Sequence, residues 1–393
     1  MTRLWDKGAP LDQRVLQFTA GEDYALDERL VQYDVQASLA HAAMLHAQQL
    51  LSADDYAAIK NGLTELGAQH ARGEWCISLA DEDGQTALES RLTARIGTAG
   101  GRVHLGRSRN DQVLTALRLY MREATRELGT QADAVAAALD ALAARHDAVV
   151  LPGYTHMQQA MPSSVALWAG GFAAELRDDA AGVTSVQRRL ASSPLGSAAG
   201  YGTPGLPIDR AATAAALGFD QPQQPVTAVQ LSRGKAEAQL LFECTLLAQD
   251  LGRLAADLLL FYTQEFAFIK LPDDFTTGSS IMPQKRNPDV CELVRGRTAT
   301  AQAALLEALA IYAKLPSGYQ RDLQLLKAPL FRGIDSVLQS CAIMTALLAG
   351  VQFARDITLD PAIHAAEEAN ALVVEEGIPF REAYQRVGTK RKP

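Results

Sequence analysis

The sequence predicts an all-α fold built on a bundle of long helices. Three observations predict it. Ala and Leu dominate while aromatic residues are only 6%, a helix-forming composition. Several stretches of about 25–40 residues lack an interior Pro and repeat apolar residues at steps of three and four. Two-residue alternation of β-branched residues is scarce. The 393 residues suffice for two or three domains, and 48% hydrophobic with 21% charged content excludes wholesale disorder.

The first long element is 111–150, with Leu117, Met121, Ala124, Leu128, Ala132, Val135, Leu139 and Leu142 on one face. At 1.5 Å per residue such a helix runs roughly 50 Å, which suits a bundle rather than an ordinary globular helix. Residues 162–190 open on Pro162 and two serines and read as the second. Residues 233–268, 289–314 and 328–353 read as the third, fourth and fifth. The segment 336–354 carries no charge. Its length alone permits a membrane span, but Gln339, Ser340, Thr345 and Gln352 recur through it, so we read it as a buried bundle helix and expect no membrane partner. No sequence repeat suggests a solenoid.

Composition narrows the function. A net charge of −8 gives no overall basic footprint for nucleic acid. Cys76, Cys244, Cys291 and Cys341 form no CxxC pair, which suits a reducing cytoplasm. The N-terminal stretch MTRLWDKGAPLDQRV is too charged for a signal peptide.

Chemistry is expected in the polar breaks between helices. The loop 276–289, TTGSSIMPQKRNPD, offers Ser279 and Ser280 hydroxyls, the charges of Lys285 and Arg286, and the Asn287 amide. These parts can hold a carboxylate and stabilise added negative charge, although an ordinary solvated loop has similar composition. The stretch RVHLGRSRND sets Arg102, Arg107 and Arg109 beside Ser108 and Asn110. It reads either as carboxylate-binding forks or as a charged face capped by Ser108 or Asp111. In GYTHMQ, Thr155 and His156 follow a Pro–Gly pair; His156 is a general acid or base, or structural. His41, His46, His70, His146 and His364 show no ligand spacing, so no metal is expected. GxSxG, the P-loop and a dinucleotide fingerprint are missing, so no cofactor is expected; Cys291 reads as part of a helix start.

GSSIMPQKRNPD resembles the signature loop of the fumarase/aspartase superfamily. GRSRNDQV, PGYTHMQ, PLGSAAGYGTPGLPIDR and GYQRDLQLLK are similar to the argininosuccinate lyase/delta-crystallin branch in particular. The similarity runs in order from about Leu4 to Gly388. It implies a central long-helix bundle that forms a twenty-helix core in a homotetramer, with each active site assembled from three subunits. It also implies a division into 1–106, an N-terminal helical domain; 107–355, the central bundle; and 356–393, a C-terminal helical domain shorter than in relatives. The implied reaction is the reversible elimination of argininosuccinate to arginine and fumarate, without cofactor.

By the same resemblance Ser279 matches the catalytic base, His156 an acid–base histidine, and Glu292 its partner. Lys285 and Asn287 match residues that steady the fumarate-side carboxylate and the intermediate. Thr155, Asn110, Tyr319, Gln324 and Lys327 match substrate contacts, and Arg109 and Ser108 stand among them in the Arg-rich motif. The sequence departs from the family pattern in several places, among them Ala160-Met161-Pro162 where relatives have AQP. Gln85 replaces a histidine in EDGQTALE, Leu105 a threonine, and Asp23 a substrate-contacting serine. The departures at Gln85, Leu105 and Asp23 motivate one alternative, a sister fumarate-releasing lyase acting on another succinyl-amine such as adenylosuccinate or an acylated argininosuccinate; the resemblance to a family also recruited as lens protein leaves a second, an inactive crystallin-like scaffold.

Overall fold

A computed structural model describes residues 12–390, mostly helix with four two-stranded ribbons. Five long helices dominate: Arg109–Arg145, Val165–Ser185, Lys235–Tyr262, Asp289–Tyr312 and Lys327–Gly350. The eight apolar positions read from the first segment, Leu117 to Leu142, are all buried. By contact the chain forms two compact units. One holds residues up to Leu128, Gly182–Thr245 and Ala299–Ser336; the other holds Gly129–Ala181, Leu246–Thr298 and residues from Val337 on.

In the first unit, Val31–Ala47, Ala53–Ala71 and Gly84–Ile96 pack around Val35, Leu45, Ile59, Leu63, Leu88 and Leu92. Side-chain caps start two of them: Ser52 Oγ accepts the Asp55 N–H, and Asp83 accepts the Thr86 N–H. The Arg109–Arg145 helix opens on a reciprocal cap. Ser108 Oγ accepts from the Asn110 N–H at 3.3 Å while the Ser108 N–H donates to Asp111 Oδ1 at 2.8 Å. The other Asp111 oxygen accepts the Gly196 and Ala198 N–H groups at 2.9 and 2.8 Å. That carboxylate therefore ties the Gly-rich loop to the helix start. Gly196 sits at φ 79°, and a Cβ there would lie 2.8 Å from Arg210 Cγ, so both backbone and space require glycine.

The second unit is cored by the rings of Trp168, Phe261, Phe268 and Phe353. Its last two helices, Ala365–Glu376 and Phe380–Lys390, pack on each other through Ala369, Ala383 and Val387. The apolar stretch 336–354 is helical to Gly350 and then enters the strand Gln352–Phe353. A helical run here is long and apolar enough to cross a membrane by length and composition. Val337, Cys341, Met344 and Leu348 face inward at helical spacing, while Ile343 and its neighbours Ala342 and Ala346 are exposed.

One expectation fails locally. Residues 150–164 are not a loop followed by a helix that begins at Pro162. They form an antiparallel hairpin, Val150–Thr155 with Gln158–Ser164, bulged at Gly153/Tyr154. Pro152 and Pro162 face each other in its register. The helix starts only at Val165, where Ser164 Oγ accepts the Leu167 N–H.

Candidate active site

Sequence-predicted groups fall into three clusters. The first surrounds a cavity of about 200 Å³ within the first unit, lined by Asp23, Asp83, Gln85, Arg109, Asn110, Val113, Arg233, Tyr319, Arg321, Gln324 and Lys327. Arg109, Asn110, Tyr319, Gln324 and Lys327 were expected to meet a ligand, and they share this cavity. They come from the start of one long helix, from the 315–326 connection, and from the start of another.

Lys327 is 2% exposed, and its ammonium lies 2.5 Å from Asp27 Oδ1 and 2.9 Å from Asp23 Oδ1. Burial works to lower its pKa, but the two carboxylates outweigh burial and the net shift is upward. Asp27 is fully buried and also accepts the Gly84 N–H at 3.0 Å. Asp23 is pushed up to about 7, first by burial, with Lys327 opposing and Asp27 and Asp83 adding to the rise. Upward shifts on both sides of one ion pair conflict if taken separately. Two acids sharing one cation reconcile them: burial raises Asp23, while the pair of carboxylates raises Lys327.

The three arginines of the Arg-rich motif divide. Arg102 pairs with Asp55 on the surface, and Arg107 is buried with Nη1 donating to Ser38 Oγ. Only Arg109 reaches the cavity, where it sits 3.0 Å from Asp83 and 3.7 Å from Glu82. Sequence spacing places charges along a chain but does not say which side of a turn each will face. Ser108 serves the helix cap described above. Gln324 Nε2 and Arg321 both donate to the Thr19 carbonyl. Arg233 is 3% exposed, packs 5.4 Å from the Tyr319 ring, and has Nε and Nη1 without a hydrogen-bond partner. Gln85 donates to Asp34 at 2.7 Å. Burial holds the Asp34 carboxyl well above the usual range.

Asp27, Asp83, Arg233 and Arg321 were not singled out from the sequence. A usable signal existed for one pair: Asp23 and Asp27 stand four apart, a spacing that puts two carboxylates on one side of a helical turn.

The second cluster is the hairpin tip. His156 and Met157 form its two-residue turn with φ 52° and 59°. That geometry favours Asn–Gly; here two residues with side chains hold it, and backbone strain of this kind concentrates at functional positions. Thr155 and His156 are exposed. His156 also borders a cavity of about 400 Å³ with Tyr154, Trp168, Phe261 and Phe266. Asp257 lines the same cavity and accepts the Trp168 indole N–H at 2.9 Å.

The third cluster is the loop before Asp289–Tyr312. Thr277–Gly278 pairs with Arg286–Asn287 as a small antiparallel ribbon. Thr277 Oγ1 donates to Asp289, and Asn287 Nδ2 donates to the Gly278 carbonyl at 3.2 Å. Between these strands Ser279 Oγ accepts the Met282 N–H at 3.2 Å and the Ile281 N–H at 3.4 Å. Donors aimed at a hydroxyl oxygen favour its anionic form. Lys285 is exposed at the loop tip, and Glu292 is exposed in the first turn of the following helix. Cys291 is buried there, with its thiol pushed up to about 12 by burial, so it is no nucleophile.

Comparison with known proteins follows the same lines. The lyase family model matches residues 8–303. An argininosuccinate lyase of Sorangium cellulosum (strain So ce56) is 46% identical over 391 residues, covering 99% of this chain and 90% of that protein. One from Bacteroides fragilis (strain YCH46) is 40% identical over 390 residues, covering 98% and 87%. Among solved structures, an EDDS lyase variant with bound fumarate superposes with TM-score 0.81 at 25% identity, covering 97% of this chain and 76% of that one. A class II fumarase from Schistosoma mansoni gives 0.79 at 19% identity, covering 98% and 91%, a likeness of fold.

Proposed function

Because this chain belongs to the argininosuccinate lyase family, we propose that it eliminates fumarate from argininosuccinate, leaving arginine, by a reversible carbon–nitrogen cleavage. The observation that carries the reading is the cavity where Arg109, Asn110, Tyr319, Gln324 and Lys327 meet. It is polar, charged in both signs and of a size for a small-molecule end group.

In this reading Ser279, as the alkoxide, takes the proton from the carbon beside a carboxylate. The electron pair becomes the new C=C bond as the C–N bond breaks, and the nitrogen leaves with the other pair and takes a proton. The N–H groups on Ser279 Oγ support the base role. Lys285 and Asn287 offset the doubly negative carbanion. His156 manages the proton of the leaving side, with Glu292 raising its basicity. Thr155, Asn110, Arg109 and Ser108 orient the substrate. Copies of the chain in a homotetramer contribute the hairpin tip, the Ser279 loop and the polar cavity to each site; exposed apolar residues on the long helices, Phe242, Leu293 and Leu306, support that association. We assign the enzyme to the cytoplasm.

A sister lyase is the second reading, favoured by Asp23 and Gln85 lining that cavity in place of the family's serine and histidine. Fumarate release is to be measured by ultraviolet absorbance with argininosuccinate, adenylosuccinate and an acylated argininosuccinate. We expect turnover with the first. Turnover only with another would transfer the assignment to the sister reaction, and none with any would favour the scaffold.

A further inference from the structure

We propose that Asp23 is a specificity-determining residue, whose carboxylate receives the free α-ammonium of the departing amino acid and so makes the cavity discriminate against an N-acylated one. The inference rests on the lyase reading above and names what its polar cavity selects.

Charge counting carries it. Asp23 and Asp27 share the single charge of Lys327. Asp27 is saturated, with a lysine on one oxygen and a backbone N–H on the other. Asp23 has Lys327 as its only hydrogen-bonding or ion-pair partner among the described residues, and it lines the cavity while Asp27 does not. The surplus negative charge therefore lies at the cavity wall. No other cation facing Asp23 hydrogen-bonds to it, although Arg233 feels its charge. Asp83 adds a like charge, Arg109 is engaged by Asp83 and Glu82, and Arg321 donates to the Thr19 carbonyl. Arg233 is buried beside Tyr319 with two N–H sites unpartnered. The cavity thus offers spare donors on Arg233 and a spare acceptor on Asp23, the complement of an α-carboxylate and an α-ammonium on one carbon. The raised pKa of Asp23 agrees: burial is its first cause, and the one lysine it shares with Asp27 does not offset it. A serine at this position would carry no charge to discriminate with.

The test uses the full-length protein and binding of products, which needs no turnover. Affinities for L-arginine and Nα-acetyl-L-arginine are measured by calorimetry at pH 8 for the wild type, Asp23→Asn and Asp23→Ser. We expect the wild type to prefer arginine by about tenfold or more, the gain of a desolvated charge-assisted bond. Both variants should narrow the preference to about threefold or less by weakening arginine alone. Lowering the pH to 6 should weaken arginine binding in the wild type and leave acetylarginine unchanged. A wild-type preference that persists in both folded variants overturns the proposal, as does a wild type that binds the two ligands equally. Fumarate release is recorded in parallel. Its absence with the arginine preference intact would defeat the lyase reading and leave this inference standing; its presence with no preference would do the reverse.

Discussion

Lys327→Met removes the one cation shared by two buried carboxylates, and the structure sets the size of the damage. Asp23, its pKa raised to about 7, can become neutral near pH 7 at little cost. Asp27 cannot escape so easily, being fully buried with its lysine partner 2.5 Å away. Without Lys327 it must stay charged and unpaired, or take a proton. An aspartate that is ionised in the unfolded chain, with a pKa of about 3.9, costs about 4 kcal/mol to protonate at pH 7. That figure agrees with the roughly 3–5 kcal/mol measured when buried pairs lose one member. At pH 5 the same arithmetic gives about 1.5 kcal/mol. We therefore expect Lys327→Met to lose about 4 kcal/mol at pH 7 and much less at pH 5, read from urea unfolding at fixed protein concentration. Adding Asp27→Asn should restore more than half of the loss, since an amide oxygen can still accept the Gly84 N–H. Turnover should not return, because the cavity would still lack its ammonium. A Lys327→Met protein within about 1 kcal/mol of wild type at pH 7, or a double variant less stable than the single, would refute the reasoning.

Three further outcomes are expected. Asp23→Asn should stabilise the protein as pH rises: the folded pKa near 7 lies above the usual 3.8, so ionising Asp23 erodes stability between these values, by up to about 4 kcal/mol; equal pH dependence of the denaturation midpoint in variant and wild type between pH 5 and 8 would contradict this. Asp111→Ala orphans the N–H groups of Ser108, Gly196 and Ala198. At about 1–3 kcal/mol per orphaned donor it should cost roughly 3–9 kcal/mol and speed hydrogen exchange at Gly196 and Ala198, and unchanged exchange there would deny the tie. Ser279→Ala should abolish fumarate release while the thermal midpoint moves by no more than about 2 °C, since the lost side chain only caps a partly exposed turn; a turnover rate within tenfold of wild type would remove Ser279 from the base role.

How far the sequence reached depends on the range of the forces involved. The buried stripe from Leu117 to Leu142 was legible because a helix repeats its inward face every three or four residues, and each position is tested by its own neighbours. The hairpin at 150–164 was not. Two prolines fall within it, its turn is His156–Met157 rather than Asn–Gly, and its strands lack regular alternation. The composition of the signature loop suggested a chemistry for Ser279, Lys285 and Asn287, but not the ribbon that holds it. Lys327 was singled out by resemblance alone, and it lines the cavity. Its bond to Asp27 joins residues 300 positions apart, and no local pattern reports that. The arginine motif shows the converse error: composition suggested a shared grip, while burial sent Arg107 inward to Ser38 and left Arg109 alone at the cavity.

Under the proposed function, the division of labour among these groups would follow from what each task demands. Recognition calls for polar groups placed before the ligand arrives, and the cavity has them: Lys327, Asp23 and Arg233 are held in low-dielectric surroundings where a charge counts strongly. Proton abstraction demands the opposite history. A serine alkoxide held permanently in a closed pocket would be quenched by the nearest acid, whereas one on a partly exposed turn can be formed when substrate arrives. Two N–H groups already favour that anion, and exclusion of water then strengthens their effect. A chain that keeps its recognition groups buried and its reactive groups on a turn, a hairpin tip and a helix start thereby separates affinity from reactivity. Burial can then be spent on selecting the amine, while binding of the succinyl end governs when the base becomes strong enough to act.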